Sequence, residues 1–300
     1  MFNVYLDGRI NDSAFGPRLG FRWYRFTAGV MLGLTCATKW SGIYYIVFFG
    51  LLVIGFDVAA RKAYHVRRPW VGTLVRDAVP GVASLAVMPI AIYFASFVPW
   101  FTSETSVYRY QVGNTIGTGG PFAWVPGAWR SLWYYEAGVL KFHAGLTNSA
   151  GNHHPWESKP WTWPMSLRPM LYALENGPDQ CGGGQCVRAQ MLIGSPAMWW
   201  LAIPMLLWGL WAWLIRRDWR YAAVVVGYAA GFVPWFAELD RQMYFFYATV
   251  LAPFLVMGLA LCCGDILRAT RSSPERPRPE RQVLGIIVVA IYIGLVVANF

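Results

Sequence analysis

One short stretch of the chain carries most of the side chains that could do chemistry. Two imidazoles, a carboxylate, an ammonium, two hydroxyls and three indoles fall within the segment His153-His154-Pro155-Trp156-Glu157-Ser158-Lys159-Pro160-Trp161-Thr162-Trp163-Pro164. Its prolines stiffen the backbone and prevent a continuous helix. A rigid loop of aromatic and basic residues could hold a phosphate or a sugar, so we treat it as the centre of a candidate binding site.

Four cations are candidates for binding a phosphate group. His154 and Lys159 lie within the loop, Lys39 ends a short apolar segment, and Arg241 lies in an acidic turn before a run of aromatic residues. A guanidinium can bind a phosphate through two parallel hydrogen bonds. The competing interpretations are an interfacial anchor for Lys39 and a surface ion pair for Arg241.

Other side chains of the loop are candidates for contacting a sugar or an acceptor. Glu157 could act as a base, although an ion pair with Lys159 is an equal alternative. Ser158 offers a hydroxyl between these two residues. Trp161 and Trp163 alternate along a segment that we expect to be extended, where they could stack on sugar faces or be buried at a membrane interface.

No metal site is predicted. Zinc needs three or four preorganised ligands, and the histidines of the loop have no partners at the usual ligand spacing. Cys181 and Cys186 flank a Gly-rich tip, Gly182-Gly183-Gly184-Gln185. If this tip faces an oxidising compartment, the spacing favours a disulfide over half of a metal site.

The composition indicates a membrane protein. The 300 residues are 56% hydrophobic but only 13% charged, whereas soluble domains are about 25% charged. Recurrent long apolar segments therefore predict an all-α polytopic protein whose surroundings are the lipid bilayer. The net charge of +10 does not indicate a nucleic-acid partner, because the basic residues lie mostly in short connections.

About seven transmembrane helices are predicted. They cover roughly residues 24–38, 42–57, 82–99, 196–215, 220–236, 243–262 and 283–300. Basic residues cluster in four connections, 9–25, 61–76, 216–220 and 268–281, which lie on one side if the spans alternate. The positive-inside rule makes that side cytoplasmic, together with the N-terminus. The Lys39 turn, residues 100–195 and the turn 236–242 then face outward.

The predicted spans divide the chain into three parts. Residues 1–99 hold the N-terminal segment and three spans, residues 100–195 form one large extracytoplasmic region, and residues 196–300 hold the remaining spans. Aromatic spacing between 129 and 146 predicts an amphipathic helix at the interface. We find neither an internal repeat nor a glycine-rich phosphate loop, which argues against the direct use of a soluble nucleotide; no cofactor is predicted.

Three segments of the chain resemble the bacterial branch of the protein O-mannosyltransferase family. They are His154-Pro-Trp-Glu-Ser-Lys-Pro-Trp-Thr-Trp-Pro164 with Arg168-Pro169 and Tyr172, Ala37-Thr38-Lys39-Trp40-Ser41-Gly42, and Arg241-Gln-Met-Tyr-Phe-Phe-Tyr247. The resemblance runs along essentially the whole chain, and its His-Pro-x-x-Ser-Lys-Pro-Trp element is specific.

The resemblance implies the GT-C glycosyltransferase fold in the cell membrane. It also implies transfer of mannose from a polyprenyl-phosphate donor to Ser or Thr hydroxyls of exported polypeptides at the outer face, possibly at the translocon. The anomeric centre would be inverted in one displacement, which needs a base and cations for the departing phosphate. Lys39, His154, Lys159 and Arg241 are assigned to the phosphate, on the expectation that the bundle brings them together.

One feature of the family is missing. The family carries a catalytic Asp-Glu pair in its first outer loop, and no segment here matches it, so the catalytic base is unassigned. We therefore expect the chain to be a central-to-late portion of a longer enzyme. The alternatives are a related GT-C enzyme with another acceptor, a non-catalytic membrane partner, and a transporter, which would place charges in mid-span and show inverted repeats.

Overall fold

The computed structural model describes residues 14–151, 153–177, 186–272 and 278–299. The protein is mostly helical, and the chain divides into two compact units, residues 1–152 and 153–300. The seven segments predicted as spans all contain helix. Within the described residues, five helical stretches are long and apolar enough to cross a membrane: Gly42–Ala63, Pro69–Thr102, Pro196–Leu214, Phe245–Thr270 and Pro279–Ala298.

The other two predicted spans form shorter helices. Trp23–Thr38 has 16 residues and Trp219–Phe232 has 14. At about 1.5 Å per residue such helices fall short of a hydrocarbon layer roughly 30 Å thick. The 3-10 turn Val233–Ala237 lengthens the second of them. The structure thus supports a multi-pass membrane protein, and the count of seven spans stays a prediction.

The first unit packs four helical segments. Helix α1 (Trp23–Thr38) contacts α4 (Met88–Ala95), while α2 (Gly42–Ala63) contacts α3 (Pro69–Val82). Glycines let α1 lie close to the segment that contains Ser84 and Pro89. A Cβ atom on Gly29 would lie only 1.8 Å from the carbonyl oxygen of Ser84. A π-helical turn, Ala83–Val87, joins α3 to α4. Pro89 follows it and has no N–H for the ordinary helical bond, which accounts for the irregular turn at this point.

The helix that contains the third predicted span begins well before residue 82, where we expected the span to begin, and the start of the span itself stays a prediction. Helix α3 already begins at Pro69, so Arg76 and Asp77 lie inside it. The charge of Asp77 is tolerated because its carboxylate is 2.5 Å from the guanidinium of Arg61, whose side chain is fully buried. Arg22 and Asp57 form a second such pair at 2.6 Å. Paired charges can lie within a helix bundle at a position where hydropathy alone predicts a loop.

The remaining elements of the first unit are the short helix α5 (Val98–Thr102) and helix α6 (Gly127–Ala144). Helix α6 confirms the helix predicted between 129 and 146. One face of α6 is buried through Ser131 and Leu132, and the Ser131 hydroxyl accepts a hydrogen bond of 3.1 Å from the backbone N–H of Gln111.

The second unit begins with the aromatic loop and a β-hairpin. Strands β1 (Met170–Gly177) and β2 (Cys186–Leu192) pair antiparallel, with Glu175 opposite Arg188 and an irregularity near Ala173. The all-α prediction missed this hairpin. Its signal in the sequence was two short alternating segments on either side of a Gly-rich tip.

The helices of the second unit surround one hydrophobic cluster. They are α7 (Pro196–Trp199), α8 (Ala202–Leu214), α9 (Trp219–Phe232), α10 (Ala252–Thr270) and α11 (Pro279–Ala298). The 3-10 segment Phe245–Leu251 leads into α10. The cluster takes residues from α7 to α10, from this segment and, unexpectedly, from the aromatic loop, which contributes Trp163.

Candidate functional site

The candidate site of the second unit is the junction of the aromatic loop with the turn before Phe245. We call it the loop–turn site and define it as residues 153–168 together with residues 238–244. The backbone N–H of Ser158 donates a hydrogen bond of 2.9 Å to the carbonyl of Met243. The ring of His154 lies edge-to-face against that of Tyr244, with centroids 5.3 Å apart. The structure therefore brings two of the three motif segments together.

Lys159 lies at the centre of this junction. Its ammonium nitrogen is 2.5 Å from Oε1 of Glu157. It also donates to the backbone carbonyls of Leu239, at 2.9 Å, and of Arg241, at 3.3 Å. Of the two interpretations of Glu157, the structure shows the ion pair with Lys159.

We had expected the aromatic loop, residues 153–164, to be extended, but part of it forms a turn. Pro160–Thr162 forms a 3-10 turn, and the Thr162 hydroxyl donates a hydrogen bond of 2.7 Å to the carbonyl of Lys159. Arg168 supports the loop from the other side, because its guanidinium donates to the carbonyls of Glu157 (2.6 Å) and Pro155 (3.0 Å). Proline at the first position of the turn already has the required φ, which favours this local structure.

The two indoles that we predicted to contact a sugar, Trp161 and Trp163, lie in different environments because of this turn. Trp163 is fully buried, stands edge-to-face to Trp235 at 5.8 Å, and donates from Nε1 to the hydroxyl of Ser158 at 3.0 Å. Ser158 is itself 1% exposed. Trp161, in contrast, is 58% exposed. Of these three predicted contacts, Trp161 alone presents an open surface.

His154 has one ring nitrogen committed within the loop. The backbone N–H of Trp156 donates to Nδ1 at 3.2 Å. An accepting Nδ1 carries no proton, so the neutral imidazole has its hydrogen on Nε2. His154 is therefore set up to donate a hydrogen bond from Nε2, as a sugar hydroxyl or a phosphate oxygen would require.

Arg241 lies in the turn, where its backbone N–H bonds to the carbonyl of Glu238 at 3.0 Å. Burial raises the pKa of the neighbouring Tyr244 hydroxyl, and the negative charge of Glu157 raises it further. Tyr244 therefore remains a neutral hydroxyl at neutral pH. Its ring stacks on that of Phe246, with centroids 5.5 Å apart and planes inclined by 13°.

Lys39, the fourth predicted cation, belongs to the first unit. It ends helix α1, and its backbone N–H bonds to the carbonyl of Thr35 at 2.9 Å. The neighbouring Trp40 donates from Nε1 to the hydroxyl of Tyr93 at 2.9 Å. That hydroxyl in turn donates to Oε1 of Glu136 at 2.9 Å. We call Trp40, Tyr93 and Glu136 the relay. That Lys39 meets the other three cations stays a prediction.

Sequence reasoning did not single out Tyr93 or Glu136. Burial raises the pKa of Glu136, while the hydrogen bond from Tyr93 lowers it less strongly. Glu136 is a half-buried carboxylate on the helix that the aromatic spacing predicted, and that spacing was the one available signal. Its link to the Trp40 turn depends on a residue 53 positions further along the chain from Trp40.

The predicted disulfide between Cys181 and Cys186 involves residues whose side chains lie outside the described part of the chain. Cys186 begins strand β2, and Cys181 precedes it in the tip. Cys36, Cys262 and Cys263 are free thiols. The disulfide stays a prediction.

A cavity of about 650 Å³ lies elsewhere in the second unit. It is lined mainly by apolar residues of α8 and α10, and Arg216 and Asp265 form an ion pair of 2.9 Å at its edge. Its lining residues fall between Leu201 and Arg216 and between Leu259 and Ala269, outside residues 153–168 and 238–244, so the cavity is not part of the loop–turn site.

The apolar helices identify the chain as a multi-pass membrane protein, and the loop–turn site is a polar, aromatic and basic structure beside them. Residues 128–300 match the family described as the C-terminal four TMM region of protein-O-mannosyltransferase. The chain belongs to this family.

Curated relatives extend the similarity to the whole chain. It is 56% identical to the polyprenol-phosphate-mannose–protein mannosyltransferase of Mycolicibacterium smegmatis (strain MKD8), over 100% of this chain and 57% of the relative. The protein of the same name from Mycobacterium tuberculosis (strain ATCC 25618 / H37Rv) is 56% identical over 100% of this chain and 56% of the relative. The protein of the same name from Corynebacterium glutamicum is 46% identical over 95% of this chain and 54% of the relative.

The chain thus spans little more than half the length of the relatives it matches. No solved structure matches it.

Proposed function

We propose that this chain forms part of an enzyme that transfers mannose from polyprenyl-phosphate mannose to Ser or Thr hydroxyls of exported polypeptides. The observation that carries the proposal is 56% identity, along the entire chain, to proteins named for this transfer. The loop–turn site adds chemistry that fits a phosphorylated, sugar-bearing donor.

The architecture that we propose is of the GT-C type, with seven spans in the cell membrane. The N-terminus is cytoplasmic and residues 100–195 are extracytoplasmic, since the four basic connections lie on one side if the spans alternate. The proposed acceptor is an exported polypeptide, which the enzyme meets at the outer face, beside the translocon. No cofactor is needed, because the polyprenyl phosphate itself is the leaving group.

In the proposed reaction, the acceptor oxygen attacks the anomeric carbon as the bond from that carbon to the phosphate oxygen breaks. The hydroxyl proton passes to a base, which is not assigned, and the phosphate departs with the electron pair. Negative charge grows on the phosphate during this step, so cations and hydrogen-bond donors aimed at it lower the barrier. In the second unit these are the Arg241 guanidinium and Nε2–H of His154.

Trp161 is the proposed sugar platform. Its indole is 58% exposed, and an aromatic face can pack against the apolar face of a hexose. The neighbouring Thr162 holds the turn that presents it.

The experiment uses membranes from cells producing the full-length protein that contains this chain. They receive polyprenyl-phosphate mannose with a radioactive sugar and a Ser/Thr-rich acceptor peptide. We expect mannosylated peptide, and a loss of about tenfold or more in Arg241→Ala, as for one lost charged contact in the transition state. Arg188→Ala is the matched control, because its side chain is 72% exposed in the hairpin.

Product analysis separates the alternatives. Radioactive mannose in a lipid or glycan fraction, with none on the peptide, would favour a related glycosyltransferase with another acceptor. Label that remains entirely on the donor would overturn the proposal. An equal rate in Arg241→Ala and in Arg188→Ala would remove Arg241 from the donor site. Lys39→Ala, measured in parallel, tests whether that residue also contributes to the transfer.

A further inference from the structure

Lys159 was assigned to the phosphate because it is the firm cation of the loop, but its surroundings contradict that use. An ammonium group has three N–H donors. The structure supplies three acceptors, namely the Glu157 carboxylate and the carbonyls of Leu239 and Arg241. The positive charge is already compensated and its donors are already used.

We propose that Lys159 is a positioning residue, which clamps the turn carrying Arg241 to the loop carrying His154 and does not itself bind the donor phosphate. This inference rests on the proposed function for the identity of the reaction, but the clamp itself is a structural claim that can be tested without it.

The clamp joins segments that are far apart in the chain. Lys159 and Leu239 are 80 positions apart, and Lys159 and Arg241 are 82 apart. In addition to Lys159, the Ser158 N–H bonds to the Met243 carbonyl. Both acceptors on the turn are main-chain carbonyls, so Lys159 acts on the backbone path of the turn.

The Glu157 side of the clamp is also held in place. Its carboxylate pairs with Lys159 while its carbonyl accepts from Arg168 at 2.6 Å. The two charged side chains are 13% exposed for Glu157 and 24% for Lys159. Limited exposure makes the ion pair stronger than one on an open surface and makes loss of either partner costly.

The consequence for the site is one of charge and of spacing. Glu157 and Lys159 together contribute no net charge, and the Arg168 guanidinium is bonded to carbonyls of the loop, so Arg241 is the cation of this site that we assign to the phosphate. His154 lies on the loop and Arg241 on the turn, so the distance between these two phosphate-binding candidates depends on the junction that Lys159 closes. Opening the junction would separate the candidates without removing either of them.

Amide hydrogen exchange of the full-length protein in nanodiscs, without donor, tests the clamp. The reporters are the N–H groups of Arg241 and Ser158, which are hydrogen-bonded within the turn and across the junction. In Lys159→Met we expect both to exchange about tenfold faster or more, as for the loss of a charge-assisted hydrogen bond. Lys141→Met, on the exposed side of helix α6, is the matched control and should leave them unchanged.

A second variant, Glu157→Gln, should improve use of the donor if Lys159 binds phosphate and impair transfer if Lys159 is a clamp. If Lys159 bound phosphate, Glu157→Gln would free its ammonium, and the KM for the donor would fall. If Lys159 is a clamp, Glu157→Gln loosens the turn, the two amides exchange faster, and transfer declines. The Glu157→Gln/Lys159→Met double variant should then be no worse than Lys159→Met alone, because both substitutions break the same contact.

Unchanged exchange at Arg241 and Ser158 in both single variants would overturn the clamp, and a lower donor KM in Glu157→Gln would assign Lys159 to the phosphate. If Lys159→Met does not accumulate in the membrane, Glu157→Gln alone decides between phosphate binding and the clamp. If exchange rises as expected but the wild-type protein transfers no mannose, the clamp stands and the proposed function fails.

Discussion

The loop–turn site and the relay are both polar structures beside apolar helices, but they treat charge in opposite ways. In the loop–turn site, the Glu157 carboxylate meets an ammonium at 2.5 Å. In the relay, the Glu136 carboxylate accepts a hydrogen bond from the neutral hydroxyl of Tyr93. That hydroxyl itself accepts a hydrogen bond from the indole N–H of Trp40. The ammonium that compensates Glu157 also joins the loop to the turn, whereas a carboxylate bonded to neutral donors keeps a tendency to bind a proton.

This difference suggests different uses. The Lys159 ammonium of the loop–turn site holds the loop and the turn together. The candidate groups for binding a ligand lie beside it. The relay holds the turn next to Lys39 by a chain of neutral donors, and its terminal carboxylate responds to pH. Three substitutions test this contrast, and they are given in order of decreasing expected effect.

The largest effect is expected from Trp163→Ala, because it removes the buried indole that anchors the loop–turn site in the hydrophobic cluster. Replacing a fully buried Trp typically costs about 3–5 kcal/mol of unfolding free energy. Trp161→Ala is the matched control, since that indole is 58% exposed, and it should change stability by less than about 1 kcal/mol.

Thermal denaturation in detergent and mannosyl transfer measured on the same samples separate the two indoles. Trp161→Ala should reduce transfer at unchanged stability, in accord with a sugar contact. Equal losses of stability in both variants would show that burial of Trp163 does not anchor the loop, and the contrast between the indoles would have to be abandoned.

A smaller effect is expected from Tyr93→Phe, which deletes the hydroxyl between Trp40 and Glu136. The loss of its two hydrogen bonds should lower the free energy of unfolding by roughly 0.5–1.5 kcal/mol per bond. Tyr110→Phe is the control, because Tyr110 is 55% exposed in the same unit. If denaturation curves of the two variants coincide, the relay has no energetic role.

The smallest effect is expected from Glu136→Gln, and its sign depends on pH. Burial raises the pKa of Glu136 above its ordinary value of 4.5, so the folded protein binds this proton more tightly than the unfolded chain. Its contribution to stability is therefore fully present below pH 4.5 and is lost as pH rises through the folded pKa.

Glu136→Gln keeps an oxygen to accept from Tyr93 and removes this titration. Denaturation measured as a function of pH should show that the variant loses less stability than the wild type as pH rises from the acidic to the neutral range. A steeper loss in the variant would mean that the ionised carboxylate is favoured in the folded state, and that the relay compensates charge as the loop–turn site does.

Much of the architecture could be predicted from the chain alone, because hydropathy and length are local properties. All seven predicted spans contain helix, and five stretches meet the length and hydropathy needed for a membrane. The predictions failed where a distant partner changed the environment. Asp77 was assigned to a connection because its partner Arg61 could not be foreseen. The hairpin of β1 and β2 was missed although its two alternating segments and the Gly-rich tip between them were visible in the sequence.

The candidate site shows the same division. The residue types and the family motif were sufficient to select His154, Lys159 and Arg241, which the structure places in one junction. The prolines correctly indicated that the loop forms no continuous helix. Spacing could not show which indole would be buried, since Trp161 and Trp163 differ by only two positions and the 3-10 turn at Pro160–Thr162 decides their directions.

Composition and motifs were enough to predict that this protein crosses a membrane, which family it resembles, and which side chains could do chemistry. The folded chain determined the environment of each of those side chains. It joined Lys159 to carbonyls 80 and 82 positions away, buried Trp163, and gave Glu136 a neutral partner. The physical reason is that hydropathy depends on neighbours along the chain, whereas the state of a charge depends on the acceptors and the solvent that the folded chain places around it.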